Sequence, residues 1–562
     1  MRMKRLREEI SVFLQNRMYV ILLLLVAVGG YGFKLMHPTI GIDDTPYEYY
    51  FSDGLAVVVG RWVLFLLNRF LDIGDYAPFL TDFAGVLLLL AAVTIWSAVC
   101  RRIFGQAIPM WGYLAFACLF ISNPLISEVF TYFLHNGVAI GYTFSGLAIW
   151  AFMEGLEKEK LLGGLGDWAV SALCIWVAIG CYESFAVVFL VGALLVLFAR
   201  RLTGQQDKPV ASVFWLGVIL VVAIVLRSLM TNLMIAGFSL EGLRDEADQR
   251  SLGELIAWIT DPEGRAEMTM ALKRLLVMYG VFAYHYMPIA MYVAACVIFV
   301  VYGLFSTVRR RDLWLTVYMI GVFVAAWILI FIEGKVTVYR ACQFLPLFCA
   351  FSFLLLFYAG RRWLGGQSRA EGAVCREKTV AAIKIVAALA AAVLIWNQTA
   401  DLNNWFYVDY RKYEYSKETM NRIAWELEEN YDTSKPLVFI GVFDTPMELI
   451  QDAYVPIGSE TFFKMNRITQ MIDPHLLEKY YRRNHIWVAQ TPSLSVIGWG
   501  MSAFDGNQEL IKFMEMHGHS FVGVEGEAYI REVALVHQDM PVWPAEGSIK
   551  EEEEYIVINF GF

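Results

Sequence analysis

The chain has 562 residues, of which 58% are hydrophobic, 15% aromatic and only 18% charged, with a mean hydropathy of +0.51. That composition excludes a soluble globular protein and points to many membrane spans. The formal net charge of -9 gives no nucleic-acid footprint, because the basic residues cluster in short loops between apolar runs.

The N-terminus, Met1-Arg-Met-Lys-Arg-Leu-Arg7, has the charge of a signal-peptide start, but no small-residue cleavage site follows the long apolar run Met18 to Met36. A retained first span is expected. Just after it comes Gly41-Ile42-Asp43-Asp44-Thr45-Pro46-Tyr47-Glu48, so two adjacent carboxylates emerge at a membrane surface. Thr45 and Glu48 have capping-box spacing, and Pro46 falls at a first helical position. The acids then precede a helix N-terminus, whose partial positive charge favours their ionised form. Ionised acids at a lipid–water boundary suit a general base, or a cation holder, acting on a lipid-borne substrate. A solvated loop with a helix cap accounts for the same residues. From 47 to 71 the apolar run is interrupted by Glu48, Asp53, Arg61 and Arg69, which suits a segment lying along the interface.

Further runs place spans near 79–100, 108–123, 131–153, 168–181, 184–199, 212–234, 286–306, 313–332, 341–359 and 379–396. The stretch 168–199 is long for one helix and short for two. Its middle reads Gly180-Cys181-Tyr182-Glu183-Ser184, and a glutamate at the bilayer centre is costly. A tight turn that brings Glu183 to the surface is expected instead. Splitting the stretch also puts the basic clusters Arg2–Arg7, Arg101-Arg102, Lys158/Lys160, Arg200-Arg201, Arg309-Arg310-Arg311 and Arg361-Arg362 on one side, the cytoplasmic one. The N-terminus shares that side. Asp43-Asp44, the 123–130 turn, Tyr182-Glu183, the 235–285 segment, the loop Glu333–Arg340 and everything after 397 fall outside. The 235–285 segment mixes charges with apolar residues and reads as interfacial or plain surface helix.

Several outer residues have chemistry to offer. Glu128, after Asn123-Pro124, is an acid or acceptor contact, or a plain helix cap. Tyr182 and Glu183 suit a sugar hydroxyl, or simply a turn. Lys335 and Arg340 share one short outer loop, where cations would hold a phosphate and stabilise it as it leaves. His285, between Tyr284 and Tyr286, is interfacial packing or a phosphate contact. Arg227, near the outer end of an apolar run, is read as snorkelling.

After 397 the composition changes. An amphipathic helix (Ser416–Asn430), a strand (Leu437–Gly441), then strand 486–490, helix 508–516, strand 520–524 and strand 555–560 describe an external α/β domain of about 165 residues. No phosphate-binding glycine loop or HExxH occurs there, and Glu551–Glu554 reads as a solvated charge patch. All eight cysteines precede residue 397, and none has metal-site spacing with a histidine. No disulfide framework is implied.

The order of a first span, Ile42-Asp43-Asp44, Gly60-Arg61-Trp62, many spans and an external tail resembles the bacterial glucosyltransferase II family, whose members include phage-borne serotype-converting enzymes. The resemblance covers the membrane region and extends loosely into the tail. The apolar runs and the change of composition at 397 describe a polytopic α-helical membrane protein of about eleven transmembrane helices with a C-terminal extracytoplasmic α/β domain, divided as 1–396 and 397–562, and the resemblance makes it GT-C-like. The resemblance implies a glycosyltransferase of a bacterial plasma membrane, moving glucose or a similar hexose from a polyprenyl-phosphate donor to a cell-surface polysaccharide. Its acidic pair maps onto Asp43 and Asp44, and its Gly-Arg-Trp onto Gly60, Arg61 and Trp62. In the expected mechanism Asp43 or Asp44 deprotonates the acceptor hydroxyl, and the carrier phosphate departs toward Arg340 and Lys335, with Arg61 helping or orienting the acids. No cofactor is required; a divalent ion between the acids and the phosphate is compatible with the scheme, and nothing demands one. The alternatives are a transporter or flippase of lipid-linked saccharides, and a polysaccharide polymerase. A transporter predicts charges buried mid-span and internal repeats; Arg227 is a rare example of the first, and no clear repeat stands out.

Overall fold

The computed structural model describes residues 2–39, 54–71, 78–130, 135–158, 161–205, 208–240, 260–262, 264–266, 289–333, 341–366, 373–441, 507–524 and 526–561. The helices run α1 (Arg2–Gln15), α2 (Arg17–Met36), α3 (Leu55–Val58), α4 (Trp62–Leu71), α5 (Pro78–Phe104), α6 (Met110–Ile121), α7 (Leu125–Val129), α8 (His135–Leu156), α9 (Leu165–Cys181), α10 (Phe185–Thr203) and α11 (Pro209–Phe238). They continue with α12 (Ile289–Arg310), α13 (Leu313–Glu333), α14 (Phe344–Gly366) and α15 (Ala373–Asn430). Each predicted span overlaps one of these helices. Among the described residues, α2, Phe79–Ala107, α10 and α11 are long and apolar enough to cross a membrane, and Met110–Ile121, Leu165–Cys181, Leu313–Ala325 and Phe344–Gly360 are shorter apolar helices. The protein is an α-helical membrane protein.

The doubtful stretch 168–199 is two helices, broken at Tyr182–Ser184 as its glutamate demands. Helix α10 is the spine: Phe185 to Ala199 are nearly all buried, and the helix touches α5, α8, α9, α13 and α14. Close approach needs small residues opposite large ones. Gly141 of α8 gives room to Phe185, where a Cβ would stand 2.1 Å from the ring.

Basic residues gather at one end of this spine. Glu157, just past α8, meets Arg5 at 2.9 Å, Arg102 at 2.9 Å and Arg200 at 3.4 Å; Arg101 pairs with Glu9, and Arg201 with Asp312 at 2.6 Å. Burial would raise the Glu157 carboxyl pKa, but Arg102, Arg5 and Arg200 outweigh it and hold it below its ordinary value. Ser184, opening α10 at the other end, lies roughly 28 Å away along a helix of this length.

Past residue 397 one expectation fails. The span at 379–396 and the helix at 416–430 are one continuous 58-residue helix, α15, roughly 87 Å long at the α-helical rise. The reason is chemical: no proline or glycine occurs anywhere in Ala373–Asn430. The far end of α15 packs on a small sheet of order β1-β3-β2, with β1 (Leu437–Ile440), β2 (Ile549–Glu551) and β3 (Ile556–Asn559). Strand β3 runs parallel to β1 (Leu437 opposite Ile556) and antiparallel to β2 (Ile558 opposite Ile549). Met420, Ile423 and Leu427 of α15, with α16 (Asn507–Met516), cover one face; α17 (Glu527–His537) covers Val438, Ile440 and Val557 on the other.

The predicted strand 520–524 is reduced to a single parallel bridge, Leu437 to Gly523. Glu551 lies on β2 and meets Lys435 at 2.6 Å, so the acidic run is partly ion-paired. Predicted strand 486–490 lies outside the described residues.

The close pairing of α8 with α10 yields a test. Gly141→Ala forces a methyl into the Phe185 ring, an overpacking worth about 1–3 kcal/mol. A lowered thermal midpoint in detergent is expected. Gly217→Ala on α11, where a Cβ meets nothing within 4 Å, does not lower the midpoint, since alanine is the better helix former.

Candidate functional site

The three residues Gly60-Arg61-Trp62 each do a different job where α3, α4, α9, α10 and α11 converge. Gly60 ends α3 in the left-handed region (φ 83°), closed by Gly60 N–H to Val57 O (2.8 Å) and Arg61 N–H to Ala56 O (2.6 Å). That conformation favours glycine, and a Cβ there would lie 2.2 Å from the Arg227 guanidinium. Trp62 begins α4 and packs on Trp176 of α9, ring centroids 4.8 Å apart. Gly180 lets it close in, since a Cβ there would sit 2.4 Å from the indole nitrogen.

Arg61, between them, points to the turn that joins α9 and α10. Its Nη2 and Nε donate to the two Glu183 carboxylate oxygens at 2.9 and 3.2 Å, a fork-to-fork pair. Its guanidinium carbon lies 4.6 Å from the Tyr182 ring centroid. Side-chain exposure is 12% for Arg61 and 14% for Glu183, so the pair is shielded from solvent screening. Burial alone would push the Glu183 carboxyl up. Arg61 beside it, with Arg227 further off, outweighs that and holds it down to about 2. The position of Glu183, immediately before the N-terminus of α10, favours the same ionised form.

Arg227 departs from its sequence reading. It does not snorkel: from the middle of α11 it donates to Val59 O at 2.7 Å and Gly60 O at 3.2 Å, the carbonyls that end α3. The signal was an arginine inside a 30-residue apolar helix, a position that usually has a partner. Two guanidiniums and one carboxylate thus meet in this cluster. The indole N–H groups of Trp62 and Trp176 are buried beside it without an acceptor.

Arg61, Tyr182 and Glu183 are therefore brought together. Glu128 lies on α7, remote in sequence from them, with its side chain outside the described set. Asp43, Asp44, Lys335, Arg340 and His285 lie outside the described residues. Thr39 and Gly54 bracket the two acids, and Glu333 and Ala341 bracket the two cations. Among the described residues no group of three His, Cys, Asp or Glu side chains is arranged to hold a metal ion.

A family model for glucosyl transferase GtrII matches residues 32–357, more than half of the chain. The chain belongs to this family. The match takes in the acidic pair, the Gly-Arg-Trp segment, Glu183 and Arg227, and it stops short of α15 and the tail. No curated protein and no solved structure matches the chain. Membership makes the protein a glucosyltransferase, acting between a sugar donor and an acceptor.

The ion pair makes two linked tests. Glu183→Gln leaves Arg61 buried without its anion, a loss of about 3–5 kcal/mol for a broken buried pair, read as a lower thermal midpoint in detergent. The folded pKa is depressed below the ordinary 4.5, so the pair's contribution is complete above that value and is lost as pH falls toward about 2. Wild-type stability should drop over that window, and the Glu183→Gln curve should be flatter there.

Proposed function

We propose that the protein transfers glucose, or a similar hexose, from a polyprenyl-phosphate carrier to a cell-surface polysaccharide at the outer face of a bacterial plasma membrane. The observation that carries this reading is the family match together with the buried Arg61–Glu183 pair, which ties Gly60-Arg61-Trp62 to the end of the bundle remote from the basic clusters. The gathering of those clusters around Glu157 supports a cytoplasmic N-terminus by the positive-inside rule. The site end, with Asp43 and Asp44 between Thr39 and Gly54, then faces outward, as does the tail. On this reading 1–396 forms the glycosyltransferase domain and 397–562 the external α/β domain, the two sharing α15.

In the reaction, Asp43 or Asp44 takes the proton of the acceptor hydroxyl as its oxygen attacks the anomeric carbon. The bond from that carbon to the carrier phosphate breaks, and the phosphate takes the electron pair. Arg340 and Lys335 stabilise the departing charge in a partly desolvated boundary, where such contacts are stronger than in bulk water. Arg61 spends two N–H groups on Glu183, which suits it to orienting the acid-bearing stretch. Glu128, Tyr182 and His285 are left to substrate contacts. The carrier supplies an activated sugar, so no nucleotide site is needed.

Purified protein given polyprenyl-phosphate glucose and polysaccharide should transfer sugar; movement of the carrier across vesicles without transfer would favour a flippase. Asp43→Asn and Asp44→Asn should both insert normally, and at least one should lower turnover by about 10²–10⁴-fold, as for loss of a general base. Near-normal rates in both would remove the acids from the chemistry.

The donor site has its own test. A guanidinium fork predicts that Arg340→Lys keeps part of the donor affinity and Arg340→Ala almost none, at equal membrane levels. Unchanged donor affinity in an inserted Arg340→Ala, Lys335→Ala double variant would exclude both residues.

A further inference from the structure

Four residues before Asp43, a buried polar chain closes the end of α2. Lys34, in its last turn, donates from Nζ to the Thr39 hydroxyl at 2.6 Å, and that hydroxyl donates to Oδ2 of Asp409 on α15. All three side chains are buried, Asp409 completely. Aromatic contacts surround the junction. His37 stacks on Phe33 at 4.1 Å, and Tyr410 of α15 meets His37 at 4.8 Å and Phe33 at 5.7 Å, edge-on to both.

An apolar pair of the same size would hold two helices together without burying an ammonium and a carboxylate, each of which is costly to desolvate. Hydrogen bonds to charged groups add direction, which apolar contact does not. Here the direction is imposed on Thr39, and from Thr39 to Asp43 the chain reaches at most about 14 Å. The far side of the same stretch resumes at Gly54, whose carbonyl accepts from Val57 and Val58 in the turn that leads to Arg61. In sequence, the acid-bearing stretch therefore lies between two charged anchors, Lys34–Thr39–Asp409 and Arg61–Glu183.

We infer that the Lys34–Thr39–Asp409 chain is a positioning latch, which sets where Asp43 and Asp44 stand and makes α15 part of the frame of the active centre. The latch rests on the proposed reading of the two acids, so its test carries a readout that does not depend on turnover. In detergent-purified protein, Thr45→Cys introduces a thiol beside the acids, with the parent chain as the blank for the native cysteines. Adding Thr39→Val removes the hydroxyl and keeps the shape.

The latch predicts maleimide labelling at position 45 faster by about tenfold, and kcat lower by about 10²-fold, as for a small misplacement of reacting groups, with donor KM nearly unchanged. Thr39→Ser should recover most of both. Faster labelling with unchanged kcat would uphold the latch and refute the catalytic reading of the acids. Unchanged labelling, or a rise in KM alone, would overturn the latch. Asp409→Asn, which keeps an acceptor for Thr39, gives a milder form of the same readings if Thr39→Val does not accumulate.

Discussion

A glutamate between two apolar helices must find a cation, and much of the architecture follows from how Glu183 finds one. An unpaired carboxylate in a low-dielectric setting is costly enough to be protonated or expelled. Arg61 meets it with two parallel hydrogen bonds, which requires α3 to stop and the chain to reverse just before Arg61. Gly60 makes that reversal, and the carbonyls it exposes are satisfied by Arg227 from α11. One buried charge thus recruits three separate stretches of chain. Its partner comes from the segment directly after the acidic pair.

The opposite end of the bundle solves the same problem with the signs reversed. There Glu157 meets Arg5, Arg102 and Arg200, and Arg102 also reaches Glu154 at 2.9 Å and lies over the Trp150 ring at 4.5 Å. Charges that serve as topology signals in the sequence are also structural ties, joining α1, α5, α8 and α10. Helix α10 connects the two ends and carries almost no polar group between them, so each charged cluster is confined to its own boundary.

The membrane helices were legible because twenty or so apolar residues have few alternatives in a bilayer. The break at Tyr182–Ser184 was legible for the same reason, since Glu183 could not stay mid-span. Partner choice was not. Gly60-Arg61-Trp62 stood out as a motif, but the sequence does not say that Arg61 faces Glu183 across 122 positions. Arg227 looked like a snorkelling residue because hydropathy records how apolar a helix is and not what lies beside it. The tail was read unevenly: helix 508–516 and strand 555–560 stood out, whereas α17 and β2 escaped notice. β2 is short and ends on Glu551, the first residue of the acidic run 551–554, so charge masked its strand character. The continuity of α15 was missed because a change in composition at 397 suggested a boundary, although no breaker residue enforces one.

That continuity changes what the tail is. Leu402 and Phe406 of α15 are buried in the same core as Tyr31 of α2 and Phe130, while Met420 and Leu427, about four to seven turns further along, are buried in the core of the small sheet. A single helix without proline or glycine joins the two cores, so no breaker residue separates them. The family match ends before this helix, yet α15 is a neighbour of α2, whose C-terminal end opens the matched region, and Asp409 accepts from the hydroxyl of Thr39. Thr39, inside the family match, is therefore held by a helix outside it.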